Sequence, residues 1–267
     1  MNSAMKNSIR PRVAVHKFSS CDGCQLALLN LGEDLLTLAG RVDLVHFAEA
    51  GPLDPEADVD VAFVEGSVST PEDIERIRHI RAHSRLLIAI GACATAGGIQ
   101  ALRNGADGAQ WVAQIYSHPE AISSLAQSTP IASHVKVDFE LWGCPVSGAQ
   151  MLAVVNSLLL GVAPRDNADK VCTECKRNGY PCVMVSRGIA CMGPVTRAGC
   201  GALCPGLGRD CYGCYGPAEK ANTDALAAQF ASLGLTPQAI VQRFQSINSQ
   251  APVFLAAADK VRMRGDG

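Results

Sequence analysis

Eight of the chain's 12 cysteines fall between residues 172 and 214, in a stretch with little else to fold around. Residues 172–216 contain nine Gly, three Pro and few large aliphatics. Such a segment cannot build a hydrophobic core of its own. Metal centres would have to replace one, so folding there should depend on metal. The other four cysteines, Cys21, Cys24, Cys93 and Cys144, are scattered over residues 1–164, and residues 218–267 have none. Twelve thiols in one chain must be disulfides, metal ligands or reactive groups.

Compartment narrows that choice. A chain of 267 residues can bury a proper core and does not need cross-links to fold. Its composition, 48% hydrophobic and 18% charged, excludes a disordered chain. Residues 1–17 (MNSAMKNSIRPRVAVHK) have neither the apolar run of a secretory signal nor an adjacent arginine pair. The longest apolar stretches, 86–94 and 151–163, fall short of the ~20 residues of a membrane span. We therefore expect a cytoplasmic protein whose thiols stay reduced, which disfavours a disulfide scaffold and makes metal ligation the leading reading. A formal charge of −2 argues against nucleic acid as a partner.

Up to residue 164 strand and helix signals alternate. Val13–Phe18, Val42–Phe47, Val59–Val64, Arg85–Ile90 and Val135–Leu141 read as strands. Helical spacing runs through Gln25–Ala39 and Ser147–Leu160, and Thr70-Pro71-Glu72 opens another helix with a cap and a proline at its first position. This alternation implies βαβ units and an α/β fold, a flavodoxin-like doubly wound parallel sheet over residues 1–164. Residues 165–267 read as a small irregular cysteine-rich domain with a C-terminal helical tail, its helices signalled at Thr223–Leu233 and from Thr236-Pro237.

On that topology Cys21 and Cys24 follow the first strand, Cys93 the fourth and Cys144 the fifth. The ends of parallel strands share one sheet edge, so four residues separated by 3, 69 and 51 positions converge. Four thiolates suit Zn²⁺ or an iron–sulfur cluster. One close pair plus two distant single ligands makes a wide cavity, better matched to a cubane than to one ion. Gly23, Gly91, Ala92, Ala94, Gly97, Gly98 and Gly143 would let backbone approach its sulfurs. Cys21-x-x-Cys24 taken alone also fits a thioredoxin-like redox pair. The later eight parse as two sets, Cys172, Cys175, Cys182 and Cys191, then Cys200, Cys204, Cys211 and Cys214, for which zinc ribbons are an open alternative. From residue 169 to 220 seven basic residues face four acidic ones, an excess that would partly offset the negative charge of bound clusters.

These residues resemble a known family. Ser20-Cys21-Asp22-Gly23-Cys24, Glu65-Gly66-Ser67, Gly91-Ala92-Cys93-Ala94, Gly97-Gly98-Ile99 and Gly143-Cys144-Pro145 occur in the order of the small-subunit motifs of [NiFe] hydrogenases. Cys191-Met192-Gly193-Pro194-Val195-Thr196-Arg197, Cys200 and Cys211-x2-Cys214 resemble that family's C-terminal cluster region. A complex I subunit, NADH–ubiquinone oxidoreductase 20 kDa-like, shares the first domain. It resembles the chain less, having adjacent cysteines at the first position and no eight-cysteine extension.

The resemblance implies an electron-transfer subunit, with hydrogen chemistry in a separate [NiFe] large subunit. It makes Cys21, Cys24, Cys93 and Cys144 ligands of a proximal [4Fe–4S] cluster. Cys172, Cys175, Cys182 and Cys191 would hold a distal one, and Cys200, Cys204, Cys211 and Cys214 a medial one. Cys172 stands where uptake enzymes usually have His, and Cys204 where they often have Pro. Both departures imply three [4Fe–4S] clusters, as in cytoplasmic, cofactor-linked members and sulfhydrogenases. No spare cysteine surrounds the first set, so oxygen sensitivity is expected. With no Gly-x-Gly-x-x-Gly and no P-loop motif, the chain would pass electrons to a flavin and iron–sulfur diaphorase-type partner. Glu65 reads either as a proximal-site carboxylate or as an ordinary cap. The six histidines lack ligand spacing. The remaining readings are a zinc-stabilised assembly module and a stand-alone ferredoxin-like carrier.

Overall fold

The computed structural model describes residues 10–165, 167 and 169–265. Of residues 1–17, on which the expectation about a leader rests, residues 1–9 lie outside the described residues. Five parallel strands, β1 (Arg12–Lys17), β2 (Asp43–Phe47), β3 (Val59–Glu65), β4 (Ser84–Ile90) and β5 (Phe139–Leu141), form one sheet in the order β2-β1-β3-β4-β5. This is the flavodoxin-like order expected for a doubly wound sheet.

Alternation within each strand explains the layers. Val13, Val15, Phe63, Ile88 and Ile90 point to one face, while Ala14, Ala62, Val64, Leu87 and Ala89 point to the other. The first face is covered by α1 (Gly23–Leu29) and α6 (Gly148–Leu159), through Leu28, Met151, Val154 and Val155. The second is covered by α3 (Pro71–Ala82) and α4 (Gly91–Ala96), through Ile77, Ile80 and Ala94. The Thr70 cap forms as expected and is a full capping box: Asp73 N donates to Thr70 Oγ1 (3.1 Å) and Thr70 N to Asp73 Oδ2 (3.2 Å).

Three elements differ from the sequence reading. The single helix over Gln25–Ala39 is two, α1 and α2 (Glu33–Ala39), because Gly32 caps α2 at φ 60° and reorients it. Leu26 and Leu36, placed on its apolar stripe, are instead 51% and 73% exposed. The fifth strand begins at Phe139 rather than Val135, since pairing to β4 starts only where Asp138 N meets Leu87 O (2.9 Å). The tail contains a third helix beyond the two signalled.

The elements that follow are α5 (Gly108–Ile115), α7 (Val171–Arg177), α8 (Val183–Arg187), α9 (Leu203–Gly206), α10 (Thr223–Ser232), α11 (Pro237–Phe244) and α12 (Pro252–Gly265). The cysteine-rich segment does not lack a core: the tail supplies one. Val171, Val183, Met192 and Val195 pack with Leu226, Phe230, Ile240, Phe244 and Phe254. Ala96 and Trp142 from the sheet portion join the same core, so apolar packing runs across the expected boundary at 164/165. Among the described residues no helix is long and apolar enough to cross a membrane.

Candidate metal centres

The first cysteine set is built on the carboxyl edge of the sheet. Lys17 ends β1, and its Nζ holds Asp22 (2.6 Å) and Glu49 (2.8 Å), which fixes the loop carrying Cys21. Glu65 ends β3, is 2% exposed, and receives Cys24 N (3.0 Å) and Gln25 N (3.3 Å) on its two oxygens. A carboxylate thus anchors the start of α1, a helix with no side-chain cap of its own. Cys93 lies in α4, which opens directly from β4, and Ala92 N donates to Gly143 O (2.7 Å), joining the Cys93 and Cys144 turns.

Glycines give the sulfurs their room. A Cβ on Gly91 would sit 2.4 Å from Cys24 Sγ, and one on Gly98 would sit 2.5 Å from Cys93 Sγ. Both glycines also have positive φ (84° and 60°), which side chains disfavour.

The electrostatics tie the four together. Burial pushes the Cys24 thiol up, and Glu65, Cys93 and Cys144 push it further. Cys93 is pushed up to about 12 by burial, then by Cys144, Cys21 and Glu65, while a hydrogen bond from the Gln100 side chain pulls the other way. Cys144 is raised by burial, Cys21 and Glu65. The sequence reading puts all four on one edge, and in the fold their charges act on one another: Cys93 and Cys144 on Cys24, and Cys21 on Cys93 and Cys144. Gln100 carried no signal.

The later cysteines fall into two groups. Cys172 and Cys175 are on α7, Cys182 precedes α8, and Cys191 follows it. Cys172 is pushed up to about 11 by burial, then by Cys191, Cys182 and Cys175. Glu174 on α7 accepts Gly199 N (2.8 Å) and Ala202 N (3.2 Å), holding the turn that carries Cys200. Cys204 is on α9, and Cys211 and Cys214 are in the loop after it. Cys214 is pushed up to about 12 by burial, then by Cys200, Cys144 and Cys204.

The groups also touch. Cys211 N donates to Cys191 Sγ (3.2 Å), and Gly213 N donates to Cys211 Sγ (3.4 Å). Cys144 N–H reaches Cys214, and Tyr215, 6% exposed, feels Cys200, Cys214 and Cys24. Tyr215 therefore senses cysteines of both the first and the third groups, another residue the sequence did not flag. The histidines pair elsewhere: His16 with His46 (ring centroids 4.6 Å apart), His79 with His83 (4.3 Å), His118 with Glu120 and His134 with Thr129.

This donor set fits a bulky thiolate-held group. All 12 cysteines are free, and backbone N–H groups already aim at several sulfurs.

Comparison with known proteins points the same way. Residues 21–158 match the family described as NADH ubiquinone oxidoreductase, 20 kDa subunit. Sulfhydrogenase 2 subunit delta of Pyrococcus furiosus is 35% identical over 215 residues, covering 80% of this chain and 90% of that protein. The iron-sulfur subunit of an F420-non-reducing hydrogenase of Archaeoglobus profundus is 26% identical over 255 residues, covering 74% of this chain and 79% of that protein. Among solved structures, a chain of an NAD⁺-reducing [NiFe]-hydrogenase in the H2-reduced state is 27% identical with a TM-score of 0.54, covering 58% of this chain and 94% of that one.

Proposed function

This chain belongs to the family of the NADH ubiquinone oxidoreductase 20 kDa subunit, as a [NiFe] hydrogenase small subunit of the sulfhydrogenase delta type, and on that premise we propose how it carries electrons. It is the electron-transfer subunit of a hydrogenase and assembles with a large subunit. It relays electrons from the large subunit's Ni–Fe site to a flavin and iron–sulfur diaphorase-type subunit through three [4Fe–4S] clusters, and it works in the cytoplasm. Cys21, Cys24, Cys93 and Cys144 hold the proximal cluster. Cys200, Cys204, Cys211 and Cys214 hold the medial one, and Cys172, Cys175, Cys182 and Cys191 the distal one. Residues 1–164 and 165–267 are the two functional units.

The observation that carries this reading is the convergence of four free cysteines, 3, 69 and 51 residues apart, on one sheet edge where glycines leave room for a large group. When bound, an iron–sulfur cluster supplies a site that takes up and gives back one electron at a time. The chain does the rest. Its thiolates fix each site, and the N–H groups of Val146, Cys211 and Gly213 donate to sulfurs, which stabilises added negative charge and raises the potential. Glu65 holds the start of α1, and with it Cys24, against the sheet. Cys21 in the first set and Cys182 in the distal set are both exposed, which suits contact with a partner at either end.

Anaerobic purification tests the proposal. The complex should be brown, with about twelve iron and as many acid-labile sulfides per copy of this chain. Cys93→Ser should remove about four of those irons and disconnect hydrogen oxidation from dye reduction. A colourless protein holding zinc without sulfide, or a Cys93→Ser variant with normal dye-linked turnover, would refute it.

A further inference from the structure

The segment joining α11 to α12 takes no part in the chemistry above, yet its polar side chains are deeply buried. Asn248 is 2% exposed and Ser249 is 4% exposed. Asn248 Nδ2 donates to Gly213 O (2.8 Å), inside the turn from Cys211 to Cys214. The same carbonyl receives Gly216 N (2.9 Å), and Gly213 N donates to Cys211 Sγ. Two residues on, Gln250 N donates to Ala96 O (3.2 Å), the last residue of the helix that holds Cys93. Gln250 Cγ also lies 3.3 Å from where a Cβ on Gly97 would stand. Ala251, fully buried, then enters the core shared by Ala96 and Cys211. Three consecutive residues thus carry one tie to the first cysteine set and one to the third.

Packing alone does not account for this choice of residues. Asn248 Oδ1 and Ser249 Oγ are buried without a hydrogen-bond partner among the described residues. An apolar turn would avoid that cost. What an apolar side chain could not supply is the N–H that Asn248 gives to Gly213.

We propose that Asn248–Gln250 is a clip that sets the separation between the Cys21/Cys24/Cys93/Cys144 set and the Cys200/Cys204/Cys211/Cys214 set, with Asn248 as its positioning residue. The proposal rests on reading both sets as cluster ligands. An electron lost at one site is gained at the next, and no bond in this chain is made or broken. The rate falls steeply with separation, so a residue that holds the spacing governs the rate without touching either site.

The test uses the assembled hydrogenase, purified anaerobically, with Asn248→Ala, Asn248→Asp and Ser249→Ala. Asn248→Asp keeps the side-chain shape but sets a carboxylate oxygen against Gly213 O, and it serves where Asn248→Ala fails to assemble. Both Asn248 variants should keep the parent's iron content. Amide hydrogen exchange should speed up at residues 96–98 and 211–216 together, by about tenfold. Magnetic coupling between the two neighbouring reduced centres should weaken in EPR. Ser249→Ala keeps both ties and should leave all of these at parent values. Faster exchange confined to residues 245–251 with unchanged coupling overturns the clip, as does an equal effect of Ser249→Ala. A parent protein without iron would refute the cluster reading instead. The exchange measurement needs no cluster and would still decide whether Asn248 ties the two segments.

Discussion

Gly91→Ala probes the first cysteine set at its tightest point. Gly91 has φ 84°, and a methyl group there would sit 2.4 Å from Cys24 Sγ and 3.5 Å from Gly143 O. Two costs follow. Placing a side chain at positive φ costs about 1–2 kcal/mol. Forcing a carbon into a filled site costs about 1–3 kcal/mol more. The second cost is relieved only by moving the sulfur of Cys24, because the other close atom is backbone. Gly161→Ala separates the two costs: its φ is 69°, and nothing lies within 4 Å of the added methyl. Gly161→Ala should therefore lose about 1–2 kcal/mol of unfolding free energy and keep all of its iron. Gly91→Ala should lose about 2–5 kcal/mol and drop from about twelve to about eight irons per chain. The assays are urea unfolding of the anaerobic protein and colorimetric iron and sulfide. A Gly91→Ala protein with full iron and unchanged spectra would show that Cys24 Sγ is not held where a ligand must be.

Two pH dependences follow from the burial of ionisable groups. Cys93 at about 12, Cys172 at about 11 and Cys214 at about 12 are neutral thiols near pH 7, raised mainly by burial, and iron takes them as thiolates. Uptake must release protons, so reconstitution of the apoprotein should proceed further near pH 9 than near pH 7, and a yield that falls with rising pH would contradict this. His16 is lowered to about 3 by burial, then by His46, Arg76 and His79. The unfolded chain therefore takes up this proton first as pH drops below 6.5. Stability from His16 is present above that value and is lost toward pH 3, by about 1.4 kcal/mol per unit. Urea unfolding at several pH values should show His16→Gln less acid-sensitive than the parent, and equal slopes would refute the assignment.

The parts of the molecule legible in the sequence were those governed by local, periodic signals. Alternating apolar residues marked the strands, and because the strands are parallel, Cys21, Cys24, Cys93 and Cys144 had to share an edge. Thr70-Pro71 and Thr236-Pro237 marked helix starts that formed with the expected caps. The break at Gly32 was not legible, since Leu26, Leu29 and Leu36 keep helical spacing across it and only the positive φ reorients the second helix. The core beneath the cysteine-rich segment was also missed. Its apolar residues are spread from Ala96 to Val261, and no window of sequence shows that Phe230, Phe244 and Phe254 pack in one core with Met192. Asn248, Gln100 and Tyr215 act at long range and belong to no motif.

The order in which the three cysteine sets meet in space is where local reading stops and the fold decides. In the chain, the Cys172–Cys191 set follows the first set directly. In the structure the neighbour of Cys144 is Cys214, and the neighbour of Cys191 is Cys211. The last set in sequence therefore lies between the other two. The reason is visible in the contacts. Thr196 and Pro217 form a bridge, Arg197 N donates to Gly216 O (3.1 Å), and the Arg197 guanidinium lies over Trp142, 5.2 Å from the ring centroid. Arg197 and Gly216 flank the Cys200–Cys214 loop on either side, so the loop is folded at its base and pinned to the segment that leads into Cys144. Residues 172–191 are left outside it, with Cys182 exposed. In the proposed electron path each outer set has one exposed cysteine, Cys21 at the sheet edge and Cys182 before α8. Reversing the path would require undoing the base of that loop rather than changing any one ligand.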